Sequence, residues 1–156
     1  MIEHVYLAGE ELKRVDHLIY VSLKYTRTGD VLKSVVNRLV SAYEEMVTSV
    51  LHYLKEQKKI TEFPKAPLQQ AELIKQHMET DTKIKEALDF YLFLRKANLS
   101  SFTSQNEYRR NVTMTLNVED KDVEVTIDVV LEYYKQTIQF FDYLREDLLK
   151  DAQKNS

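Results

Sequence analysis

Apolar residues recur from Leu32 to Tyr53 at alternating steps of four and three residues. This spacing is the 3.5-residue repeat of a helix that packs lengthwise against other helices. Further apolar residues widen the stripe to about half of the helix circumference, whereas a surface helix needs only about 100°. The pattern therefore predicts a central helix over residues 30–60 that lies between several partners. The stripe and its flanks comprise Leu32, Val35, Val36, Leu39, Val40, Tyr43, Met46, Val47, Val50, Leu51, Tyr53 and Leu54.

A first helix is predicted over residues 8–28, where Leu12 and Val15 fall on one face. Gly29 follows at the position where helices often end in a left-handed residue, a conformation that glycine adopts at little cost. Asp30 is the predicted N-cap of the central helix, because its carboxylate can accept a hydrogen bond from the backbone. The connection is so short that the two helices are expected to be antiparallel neighbours.

Two prolines separate the central helix from the rest of the bundle. Pro64 prevents the helix from continuing, and Pro67 suits the first turn of a new helix. The next helices are predicted over residues 67–79 and 82–97. A last helix is predicted from its N-cap, Asp128, to about residue 150.

The apolar period changes from 3.6 to two residues in the last third of the chain. Alternation of apolar and polar residues is typical of strands with one buried face. Two strands are predicted, over residues 111–118 and 123–127. Pairing Val118 with Val123 around a turn at residues 120–121 places every apolar residue on one face, as a hairpin requires.

These elements together predict a mainly α protein. A loop over residues 98–106, rich in serine, threonine and asparagine, separates the fourth helix from the strands. Residues 1–156 are expected to form a single helical-bundle domain. Its predicted architecture is an antiparallel bundle of about five helices, with one β-hairpin over about residues 111–127 before the last helix.

The amino-acid composition limits the classes of partner that this protein is expected to bind. The net charge of −3 argues against broad nonspecific binding to nucleic acid or anionic membranes, although it leaves a local basic patch possible. No apolar run is long enough for a transmembrane helix, and the first residues lack the pattern of a signal peptide. Without cysteine the chain has no disulfides and no thiolate metal ligands. We therefore expect a cytoplasmic protein that does not bind membranes.

The four histidines are candidates for metal ligands or catalytic groups. His17 lies about 12 residues before the turn at Gly29 and His52 about 23 residues after it. Their axial offset in an antiparallel pair is about 16 Å, too great for one metal ion or one catalytic pair. His4 falls in the predicted N-terminal tail, and His77 at a packing edge. We therefore predict no catalytic residue, no metal site and no cofactor.

One group of residues does combine chemistry suited to a ligand. Two basic residues end the fourth predicted helix, and a second basic run opens the hairpin. Basic, aromatic and amide side chains together can hold a phosphate or an RNA backbone. The alternative is structural, because basic residues also suit helix C-termini and exposed strand edges. The candidate binding residues are Arg95, Lys96, Tyr108, Arg109, Arg110 and Asn111.

The stretch from Ala8 to His17, together with the long apolar helix after it, resembles the opening of HEPN-domain proteins, over roughly the first 60 residues. The resemblance implies a helical bundle, commonly dimeric, that acts as a ribonuclease or pairs with a minimal nucleotidyltransferase in a toxin–antitoxin system. The catalytic signature of that family is an arginine followed four to six residues later by histidine. Arg110-Asn111 matches its usual opening, but residues 115–117 are Thr, Leu and Asn, so the ribonuclease motif is missing. Bundles of this size without the motif also occur among archaeal proteins with no assigned activity.

The leading functional prediction is a non-enzymatic interaction or scaffold module that forms homo-oligomers, most simply a homodimer. The predicted dimer contact is the aromatic surface around Phe90 and Phe93 or the apolar face of the hairpin, because an isolated hairpin needs a cover. The bundle of the same chain is the alternative cover. The alternative function is a HEPN-like protein that associates with RNA or a nucleotide through the region from Arg95 to Arg110.

Overall fold

A computed structural model describes residues 1–150, in which five helices of more than one turn and one three-stranded antiparallel sheet form the framework. The helices are α1 (Ile2–His17), α2 (Gly29–Glu56), α3 (Pro67–His77), α4 (Thr82–Leu99) and α5 (Ile127–Tyr143). The strands are β1 (Phe102–Gln105), β2 (Thr113–Val118) and β3 (Lys121–Thr126). Helix α1 continues through a π-helical turn (Leu18–Ser22) and one α-turn (Leu23–Tyr25), and α5 through a π-helical turn (Leu144–Leu148). The predicted mainly α class is confirmed.

Helix α2 lies at the centre of the bundle. Of the twelve apolar residues predicted for its stripe and flanks, all are buried except Tyr53, which is half-buried against the core. The other helices and the sheet surround α2, so its wide apolar face has a partner on each side. The periodicity of the sequence thus identifies the core directly.

Helices α1 and α2 are antiparallel, as predicted. The ring of His4 lies 2.7 Å from Glu45, and Arg38 lies 3.4 Å from Glu11, so rising numbers on one helix meet falling numbers on the other. Helix α1 begins at Ile2 rather than at residue 8. The earlier start follows from Val5, which extends the buried stripe by one turn.

Threonines rather than the predicted aspartates cap α2 and α5. The hydroxyl of Thr28 accepts a hydrogen bond from a backbone N–H of α2 over 3.3 Å, and that of Thr126 does the same for α5 over 3.2 Å. The predicted caps, Asp30 and Asp128, lie two residues further on, in the first turn of each helix. Their negative charges there favour the positive end of the helix dipole.

Gly29 does not end the first helix in a left-handed conformation, because its φ is not positive and it is the first residue of α2. Glycine is needed there for space. A Cβ would lie 1.9 Å from the Ser104 hydroxyl and 3.2 Å from the ring of Phe102. The Gly29 N–H also donates to the Glu107 carboxylate over 3.2 Å. The segment around β1 therefore docks on the start of α2.

The predicted hairpin is confirmed, but its turn is not at residues 120–121. Residues 119 and 120 form the turn, with left-handed φ values of 51° and 65°. Val118 therefore lies opposite Lys121 rather than Val123. The register differs by two residues, an even number, so the same side chains stay on the apolar face. Glutamate and aspartate here occupy positions that usually favour asparagine and glycine.

The predicted loop over residues 98–106 contains strand β1, which pairs antiparallel with β2 and places Phe102 opposite Leu116. The apolar face of the sheet packs on helices of the same chain, and Met114 and Val125 are fully buried. The bundle therefore covers the hairpin, and the sheet needs no second copy for that purpose.

Candidate functional site

A groove of about 540 Å³ lies between α1 and α5. The two helices are antiparallel, because the Tyr134 hydroxyl donates to Asp16 over 3.1 Å near one end and Phe141 lies beside Gly9 further along. The π-helical continuation of α5 brings Arg145 to the other end. The α1–α5 groove is lined by Ile2, Val5, Tyr6, Gly9, Glu10, Leu12, Lys13, Asp16, Tyr134, Ile138, Phe141 and Arg145.

One wall of the α1–α5 groove carries exposed apolar side chains. Ile2, Tyr6 and Gly9 follow one another at steps of four and three residues and so share one face of α1. Ile2 is 52% exposed and Tyr6 is 65% exposed. Six of the nine large apolar side chains exposed in residues 1–150 belong to α1 and its continuation, namely Ile2, Tyr6, Leu7, Tyr20, Val21 and Tyr25. Of these six, Ile2 and Tyr6 also line the groove, so exposed apolar surface and a groove coincide there and mark a candidate contact region.

Gly9 allows the ring of Phe141 to approach α1 closely at the middle of the α1–α5 groove. A Cβ at this position would lie 3.4 Å from the end of the Phe141 ring, in ordinary van der Waals contact. Any larger side chain would therefore occupy the space between the helices. Glycine inside a helix costs about 1 kcal/mol relative to alanine, so this glycine lowers the stability of α1.

The rim of the α1–α5 groove carries charges of both signs. Lys13 pairs with Glu10 at 3.0 Å, and the guanidinium of Arg145 lies 4.8 Å over an aromatic ring of the groove. Burial and then the hydrogen bond to Asp16 raise the pKa of Tyr134 to about 12, so its hydroxyl remains a donor at neutral pH. Apolar walls with a rim of mixed charge suit a protein partner better than the uniformly negative backbone of a nucleic acid.

Arg95 and Lys96 lie near the turn of the hairpin, and each is paired with a carboxylate. Arg95 lies 2.7 Å from Glu44, and its guanidinium sits 5.7 Å over the ring of Tyr91. Lys96 lies 2.8 Å from Glu119, and this partner lowers the pKa of the Glu119 carboxyl. The protein itself therefore neutralises part of the positive charge in this group.

The other candidate residues lie in the basic loop, residues 106–112, which precedes β2. Tyr108 has a left-handed backbone with φ of 66°, and its side chain is 74% exposed. A bulky residue rarely adopts this conformation, which is held here by the Tyr108 N–H donating to the Arg27 carbonyl over 2.6 Å. Arg110 lies 3.3 Å from a carboxylate in the first turn of α5. The exposed side chains of the loop include Tyr108, Arg109, Arg110 and Asn111.

The six candidate residues form two groups rather than one. Lys96 contacts the turn that follows β2, whereas the basic loop lies before the first residue of β2. The six residues of that strand span about 16–20 Å, which separates the groups. The segment between α4 and the basic loop, predicted to be a loop, is largely strand β1 and carries the chain away from Lys96. One small ligand would not contact both groups.

Phe90 and Phe93 pack within the chain. Their ring centroids lie 5.2 and 6.3 Å from that of Tyr133 on α5, and both side chains are half-buried. The aromatic surface predicted as a dimer contact is therefore largely part of the α4–α5 packing. The exposed large apolar side chains of residues 1–150 lie mainly on α1 and its continuation instead.

His4 does not lie in a tail, and its contact with His52 is not predicted by the sequence. Because α1 begins at Ile2, the His4 ring stacks on that of His52 with centroids 5.2 Å apart. Burial, followed by the charges of the N-terminal amine and of His4, lowers the pKa of His52. Glu45 lies 2.7 Å from His4, but no group of three or more His, Asp or Glu in residues 1–150 is arranged to hold a metal ion.

Comparisons with known protein families, curated proteins and solved structures found no match to this chain. None of the helices in residues 1–150 is long and apolar enough to cross a membrane.

Proposed function

We propose that this protein is a cytoplasmic, non-enzymatic interaction module that forms a homodimer through α1 and the α1–α5 groove. The observation that carries the proposal is the concentration of exposed large apolar side chains on α1 and its continuation. Surfaces of this kind are rare on proteins that have no partner there. The mixed charges at the rim support a protein rather than a polyanion as the partner.

Ile2 and Tyr6 form an exposed ridge on α1. A second copy is the favoured occupant because this ridge borders the groove on the same surface. In a two-fold contact both copies contribute the same ridge and the same groove. The ridge of each copy then lies against the surface around the groove of the other copy. An axis close to Glu11 pairs α1 with its copy in antiparallel fashion. Ile2 then lies opposite Tyr20, and Tyr6 opposite Asp16. The contact between Ile2 and Tyr20 is apolar, and the Tyr6 hydroxyl can donate a hydrogen bond to Asp16 of the other copy.

The test changes the exposed ridge without touching the core. Ile2→Glu combined with Tyr6→Glu places two like charges in each half of the proposed interface and should convert the dimer to a monomer. The matched control is Leu68→Glu combined with Leu99→Glu, two exposed apolar side chains outside the groove, at 57% and 82% exposure. Light scattering over a range of concentrations gives the mass, and circular dichroism checks the fold.

The parent protein and the control should show twice the chain mass of 18.5 kDa. A parent protein that remains monomeric at high micromolar concentration would refute the dimer. A control that dissociates like the ridge variant would show that the added negative charge, and not the change to the ridge, breaks the dimer.

The basic loop supports a second candidate function, association with single-stranded RNA. The observation that favours it is the exposed ring of Tyr108, held in a strained backbone conformation beside Arg109 and Arg110. Exposed aromatic rings stack on unpaired bases, and neighbouring arginines contact phosphates. The HEPN-like relationship remains a proposal of the same kind, and Arg110-Asn111, which matches the opening of that family's motif, lies in this loop.

Binding of a fluorescent single-stranded RNA oligonucleotide at low salt tests this second candidate. Arg109→Glu combined with Arg110→Glu should abolish binding, and Tyr108→Ala should weaken it by about tenfold, the loss of one stacked base. Lys58→Glu combined with Lys59→Glu is the control for net charge and should bind more tightly than the loop variant. No binding by the parent protein at low salt, where phosphate contacts are strongest, would exclude this function.

A further inference from the structure

A second space, the α4–α5 cavity, lies on the other side of α5 from the groove. Its volume is about 710 Å³, within the range of about 300–1,000 Å³ that is usual for small-molecule sites. Tyr43 of α2 contributes to its floor, and Glu86 of α4 and Glu132 of α5 contribute to its rim. The cavity is thus built by three helices and does not involve the basic loop.

The floor of the cavity is aromatic and tightly packed. Tyr43 is 1% exposed and stacks on Phe140 with ring centroids 6.1 Å apart. The ring of Phe90 meets that of Tyr43 edge-on at 5.9 Å. Tyr143 completes the aromatic lining, and its hydroxyl donates to the Asp81 carboxylate that caps α4. These contacts fix the rings in place before any ligand arrives.

The charge of the rim is negative. Glu86 and Glu132 line the cavity with exposed carboxylates, and neither forms an ion pair within residues 1–150. The one lysine of the lining, Lys83, places its ammonium 4.9 Å over the ring of Tyr143. A cation of the chain itself therefore already occupies one aromatic face at the cavity. Phosphates and carboxylates would be repelled by the two glutamates.

We propose that the α4–α5 cavity binds a small organic cation, an alkylammonium or quaternary ammonium compound. Tyr43 is stacked on Tyr91 and Phe140, so the half-buried rings of Phe90 and Tyr143 are the ones that can attract such a cation through their negative faces. Glu86 and Glu132 supply the charge that a neutral apolar ligand would not use. The contact of Lys83 with Tyr143 is an example of the same chemistry within the chain. This binding is independent of the dimer, because the groove uses the opposite face of α5.

The experiment measures binding of choline and of putrescine by calorimetry and by chemical-shift changes. The neutral isostere of choline, 3,3-dimethyl-1-butanol, has the same shape without the charge. Choline or putrescine should bind saturably at millimolar concentrations or below, and the neutral isostere should bind at least about fivefold more weakly, the value of one modest cation–π contact. Equal affinity of choline and its isostere, or no binding of either cation, would overturn the proposal.

Three variants locate the site. Glu86→Gln combined with Glu132→Gln should weaken cation binding by about tenfold, whereas Glu62→Gln combined with Glu124→Gln, which changes the net charge equally elsewhere, should leave it unchanged. Lys83→Met should strengthen binding, because the competing ammonium is removed from the ring of Tyr143. All four glutamates and Lys83 are exposed, so the fold should persist, as a thermal melt would verify. Weaker binding by Lys83→Met, or equal loss in both glutamate pairs, would contradict this site.

Discussion

Helix α5 contacts α4 and α1 in two different ways. On the α4 side, Phe140 stacks on Tyr43 of α2, which is 1% exposed, so the floor of the α4–α5 cavity is closed over the core. On the α1 side, the next residue, Phe141, meets Gly9, and the contact stays open as a groove. One residue step turns a side chain about 100° around a helix. The two faces therefore separate the surface that holds the fold from the surface that is available to a partner.

The side chain that each neighbour presents explains the difference. Helix α2 presents the large ring of Tyr43, which forms the buried floor of the α4–α5 cavity and shares a hydrogen bond with Thr137. Helix α1 presents no side chain at Gly9, so only the end of the Phe141 ring reaches α1 there, and the groove lies along this contact. We therefore expect stability to depend strongly on the closed side and assembly to depend on the open side.

Truncation of one ring on each side gives the largest expected effect. Tyr43→Ala removes a buried ring that touches three aromatic neighbours and should lower the free energy of unfolding by about 3–5 kcal/mol. Phe141→Ala removes a half-buried ring at the groove and should cost only about 1–2 kcal/mol. Urea denaturation of the two variants measures both values. Equal losses would show that the two sides of α5 are packed equally well.

The two glycines of the chain offer a second comparison between a closed and an open contact. Gly29→Ala would place a Cβ 1.9 Å from the Ser104 hydroxyl, so β1 or that side chain must move. We expect a loss of about 1–3 kcal/mol, the usual cost of overpacking. Gly9→Ala meets only Phe141 at 3.4 Å and gains helix propensity, so it should be neutral or stabilise by up to about 1 kcal/mol.

Urea denaturation also provides the control for the glycine comparison. Ser104→Gly in the Gly29→Ala background should recover part of the loss, because it removes the nearest clashing atom. No recovery would place the strain elsewhere, for example in the contact with Phe102. A destabilised Gly9→Ala variant would show that the groove is already closed around that position.

The sequence predicts the parts of the fold in which burial follows a regular period. The stripe of α2 and the alternation of the hairpin both identify buried side chains, because one face of each element meets the core. Strand β1 escapes this reasoning, since it has only four residues and its second inward side chain is Ser104. The left-handed turn at residues 119–120 escapes it as well, because neither residue is glycine or asparagine.

The candidate sites were harder to predict, for two physical reasons. Grouping Lys96 with Tyr108 rested on a loop between them, whereas that segment is largely β1 and the extended length of β2 separates the two groups. The exposed ridge of α1, Ile2 and Tyr6, lies before residue 8, the predicted start of that helix. The prediction therefore does not place the two residues on one helix face. Val5 lies seven residues before Leu12, which is about two helical turns, and this spacing could have predicted the earlier start of α1.

The smallest expected effect concerns the hydroxyls that tie α5 to its two neighbours. Tyr143 donates to Asp81 on the α4 side, and Tyr134 donates to Asp16 on the α1 side. Burial and then these carboxylates raise the pKa of both hydroxyls from 10.0 to about 12. Tyr143→Phe and Tyr134→Phe should each lower the free energy of unfolding by about 1 kcal/mol at neutral pH, the usual value of one hydrogen bond.

The pH dependence of these two tyrosine variants gives the sharper test. A raised pKa in the folded state means that each hydroxyl stabilises the fold fully below pH 10, its value in the unfolded chain, and loses that effect as the pH rises towards about 12. Urea denaturation across this interval should therefore show a steeper loss of stability for the parent protein than for either variant. Tyr25→Phe, at a 76% exposed position, should follow the parent. The two hydroxyls lie about 13 Å apart along α5, so the double variant should show the sum of the single effects. A shallower loss than the parent's in Tyr143→Phe, together with a loss equal to the parent's in Tyr134→Phe, would mean that the bond to Asp16 is not maintained in solution and that the groove is wider than the structure shows.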